Sequence, residues 1–488
     1  MSGLGNLLSA LSEAGQLVQA PQNLPEITDI TDDSRLVEPG SLFCAVEGTV
    51  QDGHAYLSDA GARGAVAALV TRSVQAGIPQ IIVRDSRTAT TIAAREWFGR
   101  PADALRLIGV TGTNGKTTTV SLIRHLLNAG GAAGAVGTVG AFDGAGEMLE
   151  GSGVLTTPGA VELQRALAEL VSRGVTTVVM ETSSHALDQR RLETLGFAAA
   201  VYTNLTHDHL DYHPDLDAYR DAKLLLSELL VEGGVEVVNR DEAAWLALPG
   251  RGELRRVWWG TGEDVDVRAR DVSLEFTGAR FTLEFGDEAL PAALPLLGDF
   301  NVSNAVAAAA TAWAVGEDAG AIVERLGSAP QIPGRMERLA HGEFVVLRDY
   351  AHTPDALERA IEALRPVAEG RLIVLFGAGG DRDRVKRPIM GDVAARGADI
   401  AVVTSDNPRT EDPDAIIDEV EAGMGEVEHV RIPDRREAIR HAVGMCRAGD
   451  ILLLAGKGHE TYQVVGTERH PFDEKTIVAE VVAEREDA

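Results

Sequence analysis

The sequence predicts an α/β protein of three domains, built on mainly parallel sheets covered by helices. Its 488 residues exceed what one hydrophobic core ordinarily organises. Hydrophobic residues make up 45% of the chain but aromatics only 5%, so Ala, Val, Leu and Gly must fill the interior, which suits helices on sheets better than an aromatic-rich sandwich. Short apolar, β-branched runs also alternate with segments of helical period, and this order starts twice.

In chain order, residues 1–103 carry short apolar runs (LFCAV, VAALVT, QIIVR) between Gly, Asp and Pro turns, the pattern of a small α/β unit closing near Pro101. Residues 104–333 open with the strand candidate LRLIGVT, the loop TGTNGK and the helical TTTVSLIRHLLNAG. TTVVMETS, AAAVYTNL and VEVVN supply further buried strands, giving a P-loop-type, mainly parallel central sheet. From about 264 to 287, polar and apolar residues alternate, which predicts antiparallel strands with one solvated face, and an Ala-rich helix follows from Asn301 to about Val315. Residues 334–488 restart the order with FVVLRDY, RLIVLFG, ADIAVVTS, HVRI and DILLLAG as strands separated by helices, a doubly wound, Rossmann-like unit.

Acidic residues outnumber basic ones 74 to 45, a net charge of −29 that repels nucleic acid and anionic lipid, so neither a nucleic-acid partner nor membrane insertion is expected. Anionic ligands must then meet local positive charge. The two cysteines, Cys44 and Cys446, lack metal or CxxC spacing and indicate a reducing compartment. MSGLGNLLSALSEAG has neither the basic start nor the apolar core of a signal peptide. A cytoplasmic protein, working as a monomer, is the expectation.

TGTNGKTT lies between a strand and a helix, where backbone N–H groups of Gly112, Thr113, Asn114 and Gly115 can wrap phosphate oxygens at the positive end of a helix. Lys116 would neutralise β- and γ-phosphates, Thr117 would offer its hydroxyl to Mg2+, and Thr118 continues the first turn. Val110 stands where the strict P-loop pattern has Gly. A glycine turn capping a helix is the alternative, but the strand-loop-helix setting with Lys after Gly favours a nucleotide.

Ligands of open α/β sheets sit beyond the carboxyl ends of strands. Glu181 ends one such strand and NLTHDHLD follows another, so Glu181 and His209 could hold a second Mg2+, with His207, Asp208 and Asp211 as further candidates. Taken alone, an HxH cluster is more often a polar loop, and Lys223 is an ordinary surface lysine.

TGTNGKTTT, METSSHALDQRR, TNLTHDHLDYH, LLGDFNVSNAVAA, PGRMERL, DYAHTPDAL, GAGGDRDRVKRPIMG, SDNPRTEDP and AGKGHETYQ, in this order, resemble the motifs of the Mur ligases, and the similarity begins at DDSRLVEPGSLF. The resemblance implies an N-terminal UDP-binding domain, a central ATP-binding domain and a C-terminal amino-acid-binding domain. It implies amide-bond synthesis through an acyl phosphate with ATP and Mg2+, on UDP-N-acetylmuramoyl-L-alanyl-D-glutamate. Glu181 and His209 then match metal ligands, and Lys223 matches a lysine carried as its carbamate. Asn301, Asn304, Arg335 and Asp349 match nucleotide positions, with His352 beside them. Asp32, Ser34, Thr49, Val50 and Gln51 match the uridine side, and Thr156, Thr157, Ser183, Gln189 and Arg191 match muramoyl-dipeptide contacts. Leu155 stands where some relatives carry Asn.

In such enzymes the tetrapeptide Asp406, Asn407, Pro408, Arg409 marks those taking meso-diaminopimelate, and Arg382, Gly456 and Glu460 match the remaining contacts. The chemistry agrees: a guanidinium binds a second carboxylate bidentately and repels the ammonium of lysine. As residues alone, DNPR also suits a helix-start turn. A folylpolyglutamate-type ligase would lack both the DSR segment and DNPR. A decayed nucleotide-binding scaffold would not keep Lys116, Glu181, His209 and Lys223 together, and a simple P-loop ATPase would release phosphate without an amino acid.

Overall fold

The computed structural model describes residues 3–48, 51–153, 155–250, 252 and 254–486. The chain forms two compact units, one holding Met1–Arg268, Leu283–Leu290 and Asn304–Arg325, the other Ala269–Thr282, Pro291–Ser303 and Leu326–Ala488.

The first unit carries two sheets. Strands β1 (Leu17–Gln19), β2 (Asp29–Thr31), β3 (Ser41–Cys44), β4 (Ala67–Val70) and β5 (Gln80–Val83) lie in the order β1-β5-β4-β3-β2. All neighbours are parallel except β1 on β5. β3 and β4 are buried along their whole length, as strands covered on both faces must be. The helix Ser86–Trp97 is capped by Asp85, whose side chain accepts from Thr88 N.

The second sheet of this unit is built on β6 (Arg106–Thr111), β7 (Ala133–Gly137), β8 (Gly140–Phe142), β9 (Thr177–Glu181), β10 (Phe197–Tyr202), β11 (Leu230–Asn239) and β12 (Arg255–Gly260). They run in the order β12-β11-β10-β6-β9-β7-β8, parallel throughout except for the β7–β8 hairpin. The central strand β6 is thus flanked by β9 and β10, which brings the loops after these three strands to one end of the sheet. Leu107, Val178, Met180, Phe197, Ala200 and Tyr202 are fully buried in the core beneath them. Three strands follow, β13 (Val267–Glu275), β14 (Gly278–Phe285) and β15 (Glu288–Leu294), neighbours in that order. Their two-residue connections permit only antiparallel pairing, in line with the alternation in the sequence. The Ala-rich helix spans Asp299–Ala314.

The second unit holds a six-stranded sheet of β16 (Glu337–His341), β17 (Val345–Asp349), β18 (Leu372–Phe376), β19 (Ile400–Val403), β20 (Val430–Arg431) and β21 (Ile451–Ala455). Its order is β16-β17-β21-β18-β19-β20, parallel except for β16. β18 and β21 are buried end to end, and separate apolar clusters pack on the two faces. The hairpin β22 (Tyr462–Val465) and β23 (Glu468–Pro471), which the sequence pattern did not disclose, follows β21. No helix among the described residues is long and apolar enough to cross a membrane.

Candidate active site

Strand β6 delivers residues 112–115 into a loop that ends on the helix Lys116–Leu127. Gly115 sits at φ +85, and a Cβ there would lie 2.3 Å from Asn304 Oδ1, so only glycine admits this close approach. The loop is held from the β10 side: Thr113 N donates to Asn204 O at 2.8 Å, and Asn114 N donates to Asn204 Oδ1 at 2.9 Å. Thr117 and Thr118 are buried in the first helical turn.

Two lysines converge on one carbonyl. Lys116 Nζ donates to Gly112 O at 2.9 Å and to Thr113 O at 2.8 Å, while Lys223 Nζ donates to the same Gly112 O at 2.8 Å. Lys223, from the helix Leu216–Glu228, is 1% exposed, so its reading as a surface lysine is overturned. Its amphipathic helix turns it inward, and its ammonium lies 4.3 Å from the Tyr219 ring centre. Burial, reinforced by Lys116, holds the Lys223 amine well below its ordinary pKa.

Glu181 ends β9 and is buried. Thr138 orients its carboxylate, donating from N to Oε1 at 2.8 Å and from Oγ1 to Oε2 at 3.2 Å. His209, on the loop after β10, takes the left-handed conformation (φ 54), uncommon for a residue with a Cβ and characteristic of functional loops. Partial desolvation lowers its imidazole below the usual value; Asp208 opposes this, and Lys116 and Lys223 add to it. His207 and Asp211 lie on the same loop, and Asp208 Oδ1 accepts from His209 N. Thr138 and Tyr219 escaped the sequence reading: Thr138 follows the glycine-rich β7, whose weak pattern hid the strand, and Tyr219 gave no signal beyond its helix.

A cleft of about 1090 Å³ opens in the same unit, lined among others by Asp32, Ser34, Gln51, Leu155, Gln189 and Arg191. Burial pushes the Asp32 carboxyl up, and the facing Arg191 pulls it back. Arg191 also donates to Gln189 Oε1 and, from Nη1, to Thr157 O at 3.1 Å. Thr157 Oγ1 in turn donates to Glu181 O at 2.8 Å and accepts from Ser183 N at 3.0 Å, while Thr156 Oγ1 lies 3.1 Å from Thr138 Oγ1, whose one proton goes to Glu181 so that Thr156 donates to it. A continuous hydrogen-bonded path therefore links the cleft to Glu181. Thr49 and Val50 lie outside the described residues.

In the second unit, Asn301 Nδ2 donates to Leu297 O at 2.7 Å. Asp349, at the end of β17, accepts from Met336 N and Ala351 N, and Arg335 lies over the Tyr350 ring at 5.0 Å. His352 Nδ1 is 2.8 Å from Tyr350 O. The loop after β19 carries Asp406 to Arg409. Arg409, at φ 50, is latched to the β22 hairpin by its N–H to Val464 O (3.1 Å) and by Gly466 N to its own carbonyl (2.7 Å). Its Nη1 donates to Gly380 O at 2.8 Å. Asn407 Nδ2 donates to Glu460 Oε2 at 2.9 Å, and Pro408 O accepts from Glu411 N. Gly456, at φ +113, lies so close to Asp406 Oδ2 that a Cβ would stand 2.5 Å from it. Arg382, on the loop after β18, donates from Nη1 to Asp381 O at 3.4 Å. SDNPRTEDP and AGKGHETYQ thus meet through Asn407 with Glu460 and Asp406 with Gly456. Lys457, from the second motif, stands buried between Asn407 and Glu460.

A phosphate-type loop after a central parallel strand, a carboxylate and an imidazole at neighbouring strand ends, and a buried lysine of low basicity define a nucleotide-dependent ligase site. A family model described as Mur ligase middle domain matches residues 110–312, and one described as Mur ligase, glutamate ligase domain matches residues 334–458. The chain belongs to the Mur ligase family. It is similar to the UDP-N-acetylmuramoyl-L-alanyl-D-glutamate–2,6-diaminopimelate ligase of Geobacillus thermodenitrificans, 42% identical over 471 residues that cover 94% of this chain and 96% of the relative. The ligase of the same name from Synechococcus elongatus is 41% identical over 504 residues, covering 99% and 100%. A solved structure of a ligase of this name superposes with a TM-score of 0.67 at 34% identity, covering 96% of this chain and 98% of the other.

Proposed function

We propose that this chain is an ATP-dependent, ADP-forming amide ligase that adds meso-diaminopimelate to the D-glutamate of UDP-N-acetylmuramoyl-L-alanyl-D-glutamate, a cytoplasmic step of peptidoglycan precursor synthesis. The convergence of Lys116 and Lys223 on Gly112 O, near His209 and at the strand end next to the one that Glu181 closes, carries the reading. Two ammonium groups side by side repel each other, whereas a carbamate on Lys223 turns one cation into an anion and supplies oxygen donors beside the phosphate loop. Carbamate formation needs a neutral amine, which the depressed pKa of Lys223 provides: the nitrogen adds to the carbon of CO2 and releases one proton. Together with Glu181, His209 and the Thr117 hydroxyl, this donor set suits Mg2+. Bound there, Mg2+ would neutralise phosphate charge in the transition state.

In this reading the cleft holds the UDP-sugar dipeptide through Asp32, Ser34, Gln51, Gln189 and Arg191, with Thr156, Thr157 and Ser183 on the hydrogen-bonded path from it to Glu181. The loop Gly112 to Thr118 cradles the triphosphate, with Asn301, Asn304, Arg335 and Asp349 completing the nucleotide site. The D-glutamate carboxylate attacks the γ-phosphorus of ATP, the bond to the bridging oxygen breaks, and ADP leaves. The resulting acyl phosphate gives a poor electrophile a good leaving group. The amine of diaminopimelate then attacks the carbonyl carbon and loses a proton; the C–N bond forms and the C–O bond to phosphate breaks. Lys116 compensates the charge on the transferred phosphoryl oxygens throughout. In this reading the chain divides into domains at 103/104 and 333/334.

Arg409 pairs with the distal carboxylate of diaminopimelate, and Glu460 with an ammonium. Arg409→Ala should raise the KM for diaminopimelate roughly 10- to 100-fold, the loss of a charge-assisted pair, while the KM for ATP stays within a factor of about two. Steady-state kinetics with each substrate varied in turn tests this, and equal increases for both substrates would refute side-chain recognition by Arg409.

A further inference from the structure

The amino-acid loop is organised around a fully buried side chain. Lys457 follows Gly456 after β21 and is 0% exposed. Its three N–H donors have three acceptors: Tyr462 O at 2.8 Å, Asn407 Oδ1 at 3.0 Å and Glu460 Oε2 at 3.4 Å. Asp406 Oδ1 lies 3.7 Å away as a second counter-charge. Val464 N also donates to Asn407 Oδ1, at 2.9 Å. Two obligate donors on one atom identify it as the amide oxygen, so the Asn407 NH2 group must face the other way, where it donates to Glu460 Oε2. Glu460 Oε2 is thereby engaged from two sides, and Oε1 is the oxygen this network leaves for another partner.

The support extends inward. Arg435 and Glu474 form an ion pair at 2.8 Å with both side chains 0% exposed, and Arg435 Nη2 donates to Ala455 O at 2.9 Å, two residues before Lys457. The backbone that aims Lys457 is therefore fixed from below. Gly456 leaves Asp406 the room to approach.

We propose that Lys457 is the positioning residue of the amino-acid site: a buried cation that sets the Asn407 amide and the Glu460 carboxylate, and so sets the affinity for the incoming diamino acid. This rests on the assignment of Asn407, Arg409 and Glu460 to that amino acid. Removing the ammonium leaves two neighbouring carboxylates uncompensated and frees the amide to flip.

The test is the KM of each substrate for Lys457→Met and Lys457→Gln, with thermal melting in parallel. Lys457→Met should raise the KM for diaminopimelate roughly 10- to 100-fold, with the values for ATP and the UDP-muramoyl dipeptide within a factor of about three. Lys457→Gln, which keeps a donor but not the charge, should fall between it and wild type, and it carries the same comparison if the Met variant does not fold. An unchanged KM for diaminopimelate, or equal increases in all three, would overturn the role of Lys457. Failure of diaminopimelate to support turnover by the wild-type enzyme would instead remove the site assignment itself.

Discussion

Lys116→Ala is expected to lower turnover by about 10²- to 10³-fold while leaving the protein folded. Its ammonium is the cation placed on the phosphate loop, donating to Gly112 O and Thr113 O. Phosphoryl transfer depends almost wholly on positioning and charge compensation, and loss of a single donor aimed at developing negative charge costs about 10²- to 10³-fold. Gly112 and Thr113 are buried, but Gly112 O keeps its bond from Lys223, so the loss falls on Thr113 O and stability should drop by about 1–3 kcal/mol. Phosphate release under saturating substrates, with a melting curve as control, measures both. Full activity in a folded variant would remove the ATP site from the loop.

Lys223→Ala has the second large effect, and its form is diagnostic. If the lysine acts as its carbamate, the variant loses an anion and not a cation, so short-chain carboxylates that enter the space left by the side chain should restore much of the activity. Added amines should not. The pH dependence follows from the same shift. The folded-state pKa of Lys223 lies well below 10.5, so between that depressed value and 10.5 the unfolded chain binds more protons than the folded one, and the contribution of this lysine to stability rises with pH. Acidification protonates the amine, prevents carbamate formation and should reduce turnover before the protein unfolds. Activity of Lys223→Ala that is indifferent to carboxylates would exclude the carbamate.

Much of this was legible in the sequence, for physical reasons. Strands buried on both faces, such as β6, β9, β18 and β21, are continuous apolar runs and declare themselves, as does a glycine loop before a helix. Their ends then place Glu181 and the 406–409 loop without any knowledge of contacts. Lys223 was legible only through its motif, because helical period alone cannot tell a buried lysine from one whose stem lies along the surface. The edge strands β1 and β8, the interior strand β7 and the β22–β23 hairpin were hidden by short length and glycine or polar content. Thr138 and Lys457 act through other residues, and pairings such as Thr138 with Glu181 or Lys457 with Asn407 link segments distant in the chain, which no local pattern encodes.

Amide ligation with diaminopimelate as the incoming amine can be read from phosphate release from ATP in the presence of the UDP-muramoyl dipeptide, comparing meso-diaminopimelate with L-lysine. Meso-diaminopimelate should stimulate release strongly and L-lysine little, because lysine carries an ammonium where Arg409 meets a carboxylate. Equal or greater stimulation by L-lysine, or phosphate release independent of either amino acid, would contradict ligation to diaminopimelate.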